Sequence, residues 1–119
     1  MDRRGLGNFG EERAARYLRL HGYTILERNY RCRQGEIDII ARRRPYLVFV
    51  EVKLRKNADY GAAMEFVTEA KQQRLRLTAA QWLSQHETEL QPRFDVVEVY
   101  APQGEKGPVR VRHLENAFY

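Results

Sequence analysis

Glu36-Ile37-Asp38-Ile39-Ile40-Ala41, the turn Arg42-Arg43-Arg44-Pro45, and the run Tyr46-Leu47-Val48-Phe49-Val50-Glu51-Val52-Lys53-Leu54-Arg55 decide how this chain folds. Side chains along a strand repeat every second residue. In the longer run that rule puts Val48, Val50, Val52 and Leu54 on one face, and Leu47, Phe49, Glu51, Lys53 and Arg55 on the other. The second face is apolar where the strand begins and charged where it ends. In the shorter run Ile37, Ile39 and Ala41 alternate with Glu36, Asp38 and Ile40. The charged turn closes the two into a hairpin, and its register decides whether Asp38 comes close to Glu51.

The flanking sequence supplies the other elements. Residues 8 to 21 read as a helix, with Asn8 as N-cap, Ala14, Ala15 and Leu18 on one stripe, and Gly22 as the stop. Residues 23 to 30 favour a strand, and Arg31 to Gly35 a turn. Residues 56 to 66 contain Gly61 and show no period, which predicts a mobile loop. Thr68 caps a second helix over residues 68 to 86, with Leu75, Ala79, Trp82 and Leu83 facing inward. Pro92 marks a boundary before a strand from Phe94 to Tyr100, and a Pro-Gly turn region leads to a last strand from Val109 to Leu114. Helix, three strands, helix and two strands make an α/β fold with one central mixed β-sheet flanked by helices. The second helix is the crossover that lays Phe94–Tyr100 parallel to an earlier strand. At 119 residues the expectation is a single domain covering 1–119.

Composition narrows the function classes. Hydrophobic residues at 43% suffice for one core, and no apolar run approaches the ~18 residues of a membrane helix. The start of the chain is polar and shows no signal peptide, and Cys32 is the single cysteine, so the expected location is the cytoplasm. Lysine and arginine total 21 against 16 acidic residues, a net charge of +5. Seventeen of the 21 are arginine, whose planar fork suits phosphate. A charge of that size fits a nucleic-acid partner and an ordinary solvated surface equally well.

Two carboxylates beside a lysine on a sheet have a chemical use. Mg²⁺, or Mn²⁺ in its place, takes hard oxygen ligands and keeps several waters, so Asp38, Glu51 and the backbone carbonyl of Val52 would suffice. Such an ion lowers the pKa of a bound water, and Lys53 would stabilise charge developing on a phosphate. The plain alternative is an exposed strand face, with Glu51 and Lys53 as a surface ion pair of little energetic weight. Asp38 resists that alternative better, because aspartate is disfavoured in strands. Glu11 has two readings. It shares the stripe of Ala14, Ala15 and Leu18 and so points toward the sheet, yet Asn8-Phe9-Gly10-Glu11 also has capping-box spacing. Lys71 and Arg74 on the second helix, Arg42, Arg43 and Arg44 at the hairpin tip, and Arg55 at the strand end are candidates for nucleic-acid backbone contacts. His21, His86 and His113 lack metal-ligand spacing and read as surface residues, while Asp95 reads as a partner for a basic side chain.

The chain closely resembles the YraN-like family of small bacterial proteins. The likeness rests on Gly10-Glu11, Ala14-Ala15, Tyr17-Leu18, Gly22-Tyr23, Arg28-Asn29, Gly35-Glu36-Ile37-Asp38, Phe49-Val50-Glu51-Val52-Lys53 with Arg55, Lys71, and Arg93-Phe94-Asp95-Val96-Val97. It covers roughly residues 5 to 100. The resemblance implies a restriction-endonuclease-like fold of the PD-(D/E)xK superfamily, similar to archaeal Holliday junction resolvases. By position it implies a metal-dependent site of Glu11, Asp38, Glu51 and Lys53, acting on DNA that is branched or irregular, in a homodimer. The expected function is therefore a Mg²⁺- or Mn²⁺-dependent endonuclease. The rivals are a non-catalytic nucleic-acid-binding module and a protein-interaction domain.

Overall fold

The computed structural model describes residues 3–55 and 67–118, with side chains from residue 8 onward, so the loop expected at 56–66 lies outside the described residues. Seven elements follow in the order α1 (Arg3–Leu20), β1 (Thr24–Cys32), β2 (Gly35–Arg43), β3 (Tyr46–Arg55), α2 (Glu69–Gln85), β4 (Gln91–Tyr100) and β5 (Arg110–Phe118). The five strands form one mixed sheet in the order β1-β2-β3-β4-β5. β3 and β4 are parallel, as expected of strands joined through a helix, and the other neighbours are antiparallel.

The two helices cover opposite faces. On one face Ala14, Ala15 and Leu18 of α1 meet Ile39, Ala41, Val48, Val50, Val97 and Val99. On the other Leu75, Ala79 and Trp82 of α2 meet Ile37, Ile40, Leu47, Phe49 and Val96. Each fully buried Leu, Ile or Phe contributes roughly 1.5–3 kcal/mol. With both faces covered, β2 to β4 need apolar residues on both sides, and this explains the nearly continuous run from Leu47 to Val50.

Four expectations change. α1 begins before Asn8, which therefore lies inside the helix and cannot cap it, and the capping-box reading of Glu11 falls with it. At the other end Gly22 does stop the helix. It stands at φ 88, while the amides of Gly22 and Tyr23 donate to the carbonyls of Arg19 and Leu18. Ile37 does not share a face with Ile39 and Ala41. It packs under α2 and they pack under α1. The alternation breaks at Asp38, beside Asn29 of β1, whose φ of 54 is a left-handed value that asparagine tolerates. Pro92 lies inside β4 rather than before it. Gln91 donates to Pro45 on the β3 side, so the ring nitrogen of Pro92 faces away, where pairing with β5 starts only at Phe94. Finally, β5 continues to Phe118, past the expected end at Leu114.

Candidate functional site

Asp38 stands where two neighbouring strands part. β2 and β3 are paired from Arg43↔Tyr46 to Ile39↔Val50, and the next positions outward are Asp38 and Glu51. There the ladder ends and a side chain replaces it, since the Val52 amide donates to Asp38 Oδ2 at 2.8 Å. Within one strand residue the amide and carbonyl point to the same edge. The Val52 carbonyl therefore projects toward the same gap as Asp38.

Glu51 is 7% exposed and points to the α2 face. One of its oxygens, Oε1, receives two ammonium groups, Lys71 Nζ at 2.7 Å and Lys53 Nζ at 3.3 Å. Lys71, a candidate for phosphate contact from α2, is partly buried in the cluster and bonded to Glu51. The sequence carries the signal. Thr68 Oγ1 accepts the Lys71 amide and caps α2, and Lys71 then shares a helical stripe with buried Leu75, Thr78 and Trp82. Glu98 was also missed. It lies beside Lys53 across the β3–β4 pair and is 1% exposed, placed by the same period-two pattern that buries Val96.

Electrostatics mark the cluster as crowded with negative charge. Burial first, and then the charge of Glu51, push the Asp38 carboxyl up to about 7, against the pull of the Val52 amide. Glu11 and Glu36 add to the same push. Burial raises Glu11 too, and Arg28, with Nη2 4.0 Å from Glu11 Oε1, only partly opposes it. Glu11 Oε1 is buried without a hydrogen bond. Burial lowers Lys53, while for Lys71 the hydrogen bond and charge of Glu51 outweigh burial and leave it raised.

A cavity of about 560 Å³ opens over Asp38 and Glu51. Lys71, Arg74 and Leu75 wall one side, and Arg33 to Glu36 the other. Gly35 lets the β1–β2 turn approach α2 closely, because a methyl group there would stand 3.0 Å from Thr78 Oγ1. Arg33 and Gln34 had been read only as turn residues. Arg74 lines the cavity, whereas Glu11 and Lys53 flank it without lining it. Arg42, Arg43 and Arg44 are elsewhere. They occupy the opposite end of the β2–β3 hairpin, four to six residues or roughly 13–20 Å from Asp38 at strand spacing. There Arg43 lies over the Tyr23 ring and Arg42 beside Trp82 and His86. Arg55 ends β3, its carbonyl accepting from the Ala101 amide.

A second polar cluster sits under α1. Asp95 is fully buried and accepts from Arg93 through two bonds of 2.9 and 2.8 Å, from His113 Nε2 at 2.6 Å, and from the Asn116 amide at 2.9 Å. The His113 side chain is thus buried rather than at the surface, and Asp95 has the basic partner expected of it. Arg93 also donates to Tyr23 Oη at 2.6 Å and lies over the Tyr46 ring.

Among the described residues no three His, Cys, Asp or Glu side chains form a ready-made ligand group. Two acidic side chains and one carbonyl at a single gap remain, and that oxygen-only set suits Mg²⁺, which keeps most of its waters. Among the described residues no helix is long and apolar enough to cross a membrane.

Comparisons with known proteins agree on one family. The model for "Uncharacterised protein family UPF0102" matches residues 10–99. A UPF0102 protein of Frankia alni is 49% identical over 114 residues, covering 95% of this chain and 93% of its own length. One from Symbiobacterium thermophilum is 48% identical over 117 residues, covering 98% of each chain. One from Caldanaerobacter subterraneus is 40% identical over 119 residues, covering 99% of this chain and 98% of its own. The family match takes in Asp38, Glu51, Lys53, Lys71 and Asp95, and the chain belongs to the UPF0102 family.

Proposed function

We propose that this protein is a divalent-metal-dependent nuclease of restriction-endonuclease-like type that hydrolyses phosphodiesters in DNA. The observation that carries the reading is the placing of Asp38 opposite Glu51 at the point where β2 parts from β3, with Lys53 two residues along the same face. Asp38 and Glu51 repel each other at one gap, and after burial that repulsion is the second cause of the raised Asp38 carboxyl. A cation removes the repulsion.

Asp38 and Glu51 would hold Mg²⁺ or Mn²⁺, with the Val52 carbonyl available as a third oxygen. When bound, the ion supplies an acidified water and neutralises charge on the phosphate. Lys53 holds its ammonium beside Glu51, where it can stabilise an oxyanion. Glu11, on the far side of Asp38, adds negative charge that favours a cation at the gap. Arg33 and Arg74 line the approach and suit the phosphates of a nucleic-acid backbone. Branched or irregular DNA and a symmetric homodimer follow from the resemblance to resolvases alone.

The test is cleavage of branched, flapped and single-stranded DNAs with Mg²⁺ or Mn²⁺. Asp38→Ala or Glu51→Ala should abolish cutting, by about a thousandfold or more, with circular dichroism unchanged. A non-catalytic nucleic-acid-binding module is the second reading. One observation favours it, namely that Glu51 already has two ammonium partners and needs no further cation. Salt-dependent DNA binding with no cutting in any metal would establish that reading and overturn the nuclease.

A further inference from the structure

We propose that Lys71 is a built-in stand-in for the metal. Its ammonium holds the Glu51 oxygen that a divalent ion would take, leaves when the ion binds, and then offers its charge to a phosphate in the cavity. The inference rests on reading Asp38 and Glu51 as a metal site and adds to it an exchange between two cations.

Three features of the geometry point this way. First, both ammonium groups converge on one oxygen, Glu51 Oε1, and the shorter bond belongs to Lys71, at 2.7 Å against 3.3 Å for Lys53. Lys53 shares the strand of Glu51, two residues along the same face, and its contact with that oxygen is the longer one. Lys71 comes from another layer of the fold, on a four-carbon stem that can swing without moving backbone. Second, an ion bound at ~2.1 Å from that oxygen would lie within roughly 5 Å of an ammonium bonded to it, which is strong repulsion in a half-buried site. The two cations exclude each other. Third, Lys71 already lines the cavity beside Arg74, across from Arg33. Freed from Glu51, it becomes a third cation toward an anion there. Metal binding and phosphate binding are then coupled through one side chain.

The exchange accounts for how the site survives without metal. Glu51 is nearly fully buried, and a buried carboxylate without a counter-charge is costly. Lys71 supplies that counter-charge from the helix that walls the cavity, and it does so without blocking the gap permanently.

The chain has four lysines, Lys53, Lys56, Lys71 and Lys106, so the ε-methylene signals of selectively ¹³C-labelled protein are few enough to assign with Lys71→Met and Lys53→Met. On titration with Mg²⁺ the Lys71 signal of the wild-type chain should move to the position of a free lysine, along the same saturation curve as the calorimetric heat. Lys71→Met should bind Mg²⁺ about tenfold more tightly than wild type. With Ca²⁺ in place of Mg²⁺, the same variant should lose most of the metal-dependent gain in affinity for a single-stranded oligonucleotide. If Mg²⁺ binds saturably while the Lys71 signal stays still, the exchange is wrong and the metal site stands. If no saturable Mg²⁺ heat appears for either protein, both readings fall together. The labelled signal is read on the wild-type chain, so the outcome does not depend on the variant folding.

Discussion

Asp38 and Asp95 do the same backbone job and live in opposite electrostatic worlds. Each carboxylate replaces a missing ladder acceptor at an irregularity in the sheet. Asp38 takes the Val52 amide where β2 leaves β3, and Asp95 takes the Asn116 amide at the β4–β5 register shift. Around Asp95 the fold gathers Arg93 and His113. Burial by itself would raise its carboxyl, but those bonds hold it below the ordinary range. Around Asp38 the fold gathers Glu51, Glu11 and Glu36, and its carboxyl rises to about 7. One aspartate is satisfied by its own chain. The other stands part-buried among acidic neighbours, and that contrast separates a structural carboxylate from a candidate ligand better than burial or sequence position can.

The largest way to break the contrast is at Asp95. Asp95→Asn leaves the Arg93 guanidinium nearly buried without a counter-charge and should cost about 3–5 kcal/mol in denaturant unfolding. The thermal midpoint should fall by more than ~10 °C. Because the Asp95 carboxyl is depressed, its contribution is present above the ordinary carboxylate range and is lost as pH falls through the folded value. A loss below about 1 kcal/mol would mean that Arg93 and His113 find other partners.

Asp38→Asn should act with the opposite sign. A carboxyl raised from 3.8 to about 7 in the folded state favours folding fully below pH 3.8, and that advantage is lost as pH rises toward 7. The amide keeps an oxygen for the Val52 amide and removes the charge. In metal-free buffer the variant should therefore gain on wild type between pH 4 and pH 8, by roughly 2–4 kcal/mol. Urea titrations at the two pH values measure this, and an equal difference at both would refute it. Added Mg²⁺ should raise the midpoint of wild type at pH 8 and leave the variant nearly unchanged.

Thr68→Ala sharpens the comparison most gently. It removes the hydroxyl that accepts the Lys71 amide, at a cost of about 1 kcal/mol. The Lys71 side-chain signal should broaden while the environment of Asp95 stays as it was. A change of equal size at His113 would show that the two clusters are not independent.

The strand arithmetic made Glu51 and Lys53 same-face neighbours, and the structure places them so, because β3 is regular from end to end. The same arithmetic failed at Ile37, where the sheet breaks and period two no longer applies. Asp38 could be flagged as an odd residue in a strand, but the amide it captures belongs to a residue 14 positions away, and only the register of two strands brings them together. Lys71 looked like one more basic residue on a helix. Its stripe with Leu75, Thr78 and Trp82 marks it as inward-facing, but its partner lies across the layers, and no local pattern names that partner. His113 was misjudged for the same reason, since Asp95 and Arg93 sit on the neighbouring strand and not near it in sequence. The cap at Asn8 failed because the helix runs on through Arg3, where Arg-Arg-Gly offers no start signal to read.

A sheet usually works as a wall between the two layers packed on it. The parting of β2 from β3 at Asp38 makes a window in that wall, through which Glu11 of α1 and Lys71 of α2 act on neighbouring carboxylates from opposite sides. A site seen through a window answers to the docking of both layers. On the proposed reading, a substitution buried under α1 withdraws Glu11 and should weaken cation affinity at Asp38 and Glu51, whereas one buried under α2 withdraws the competing Lys71 and should strengthen it.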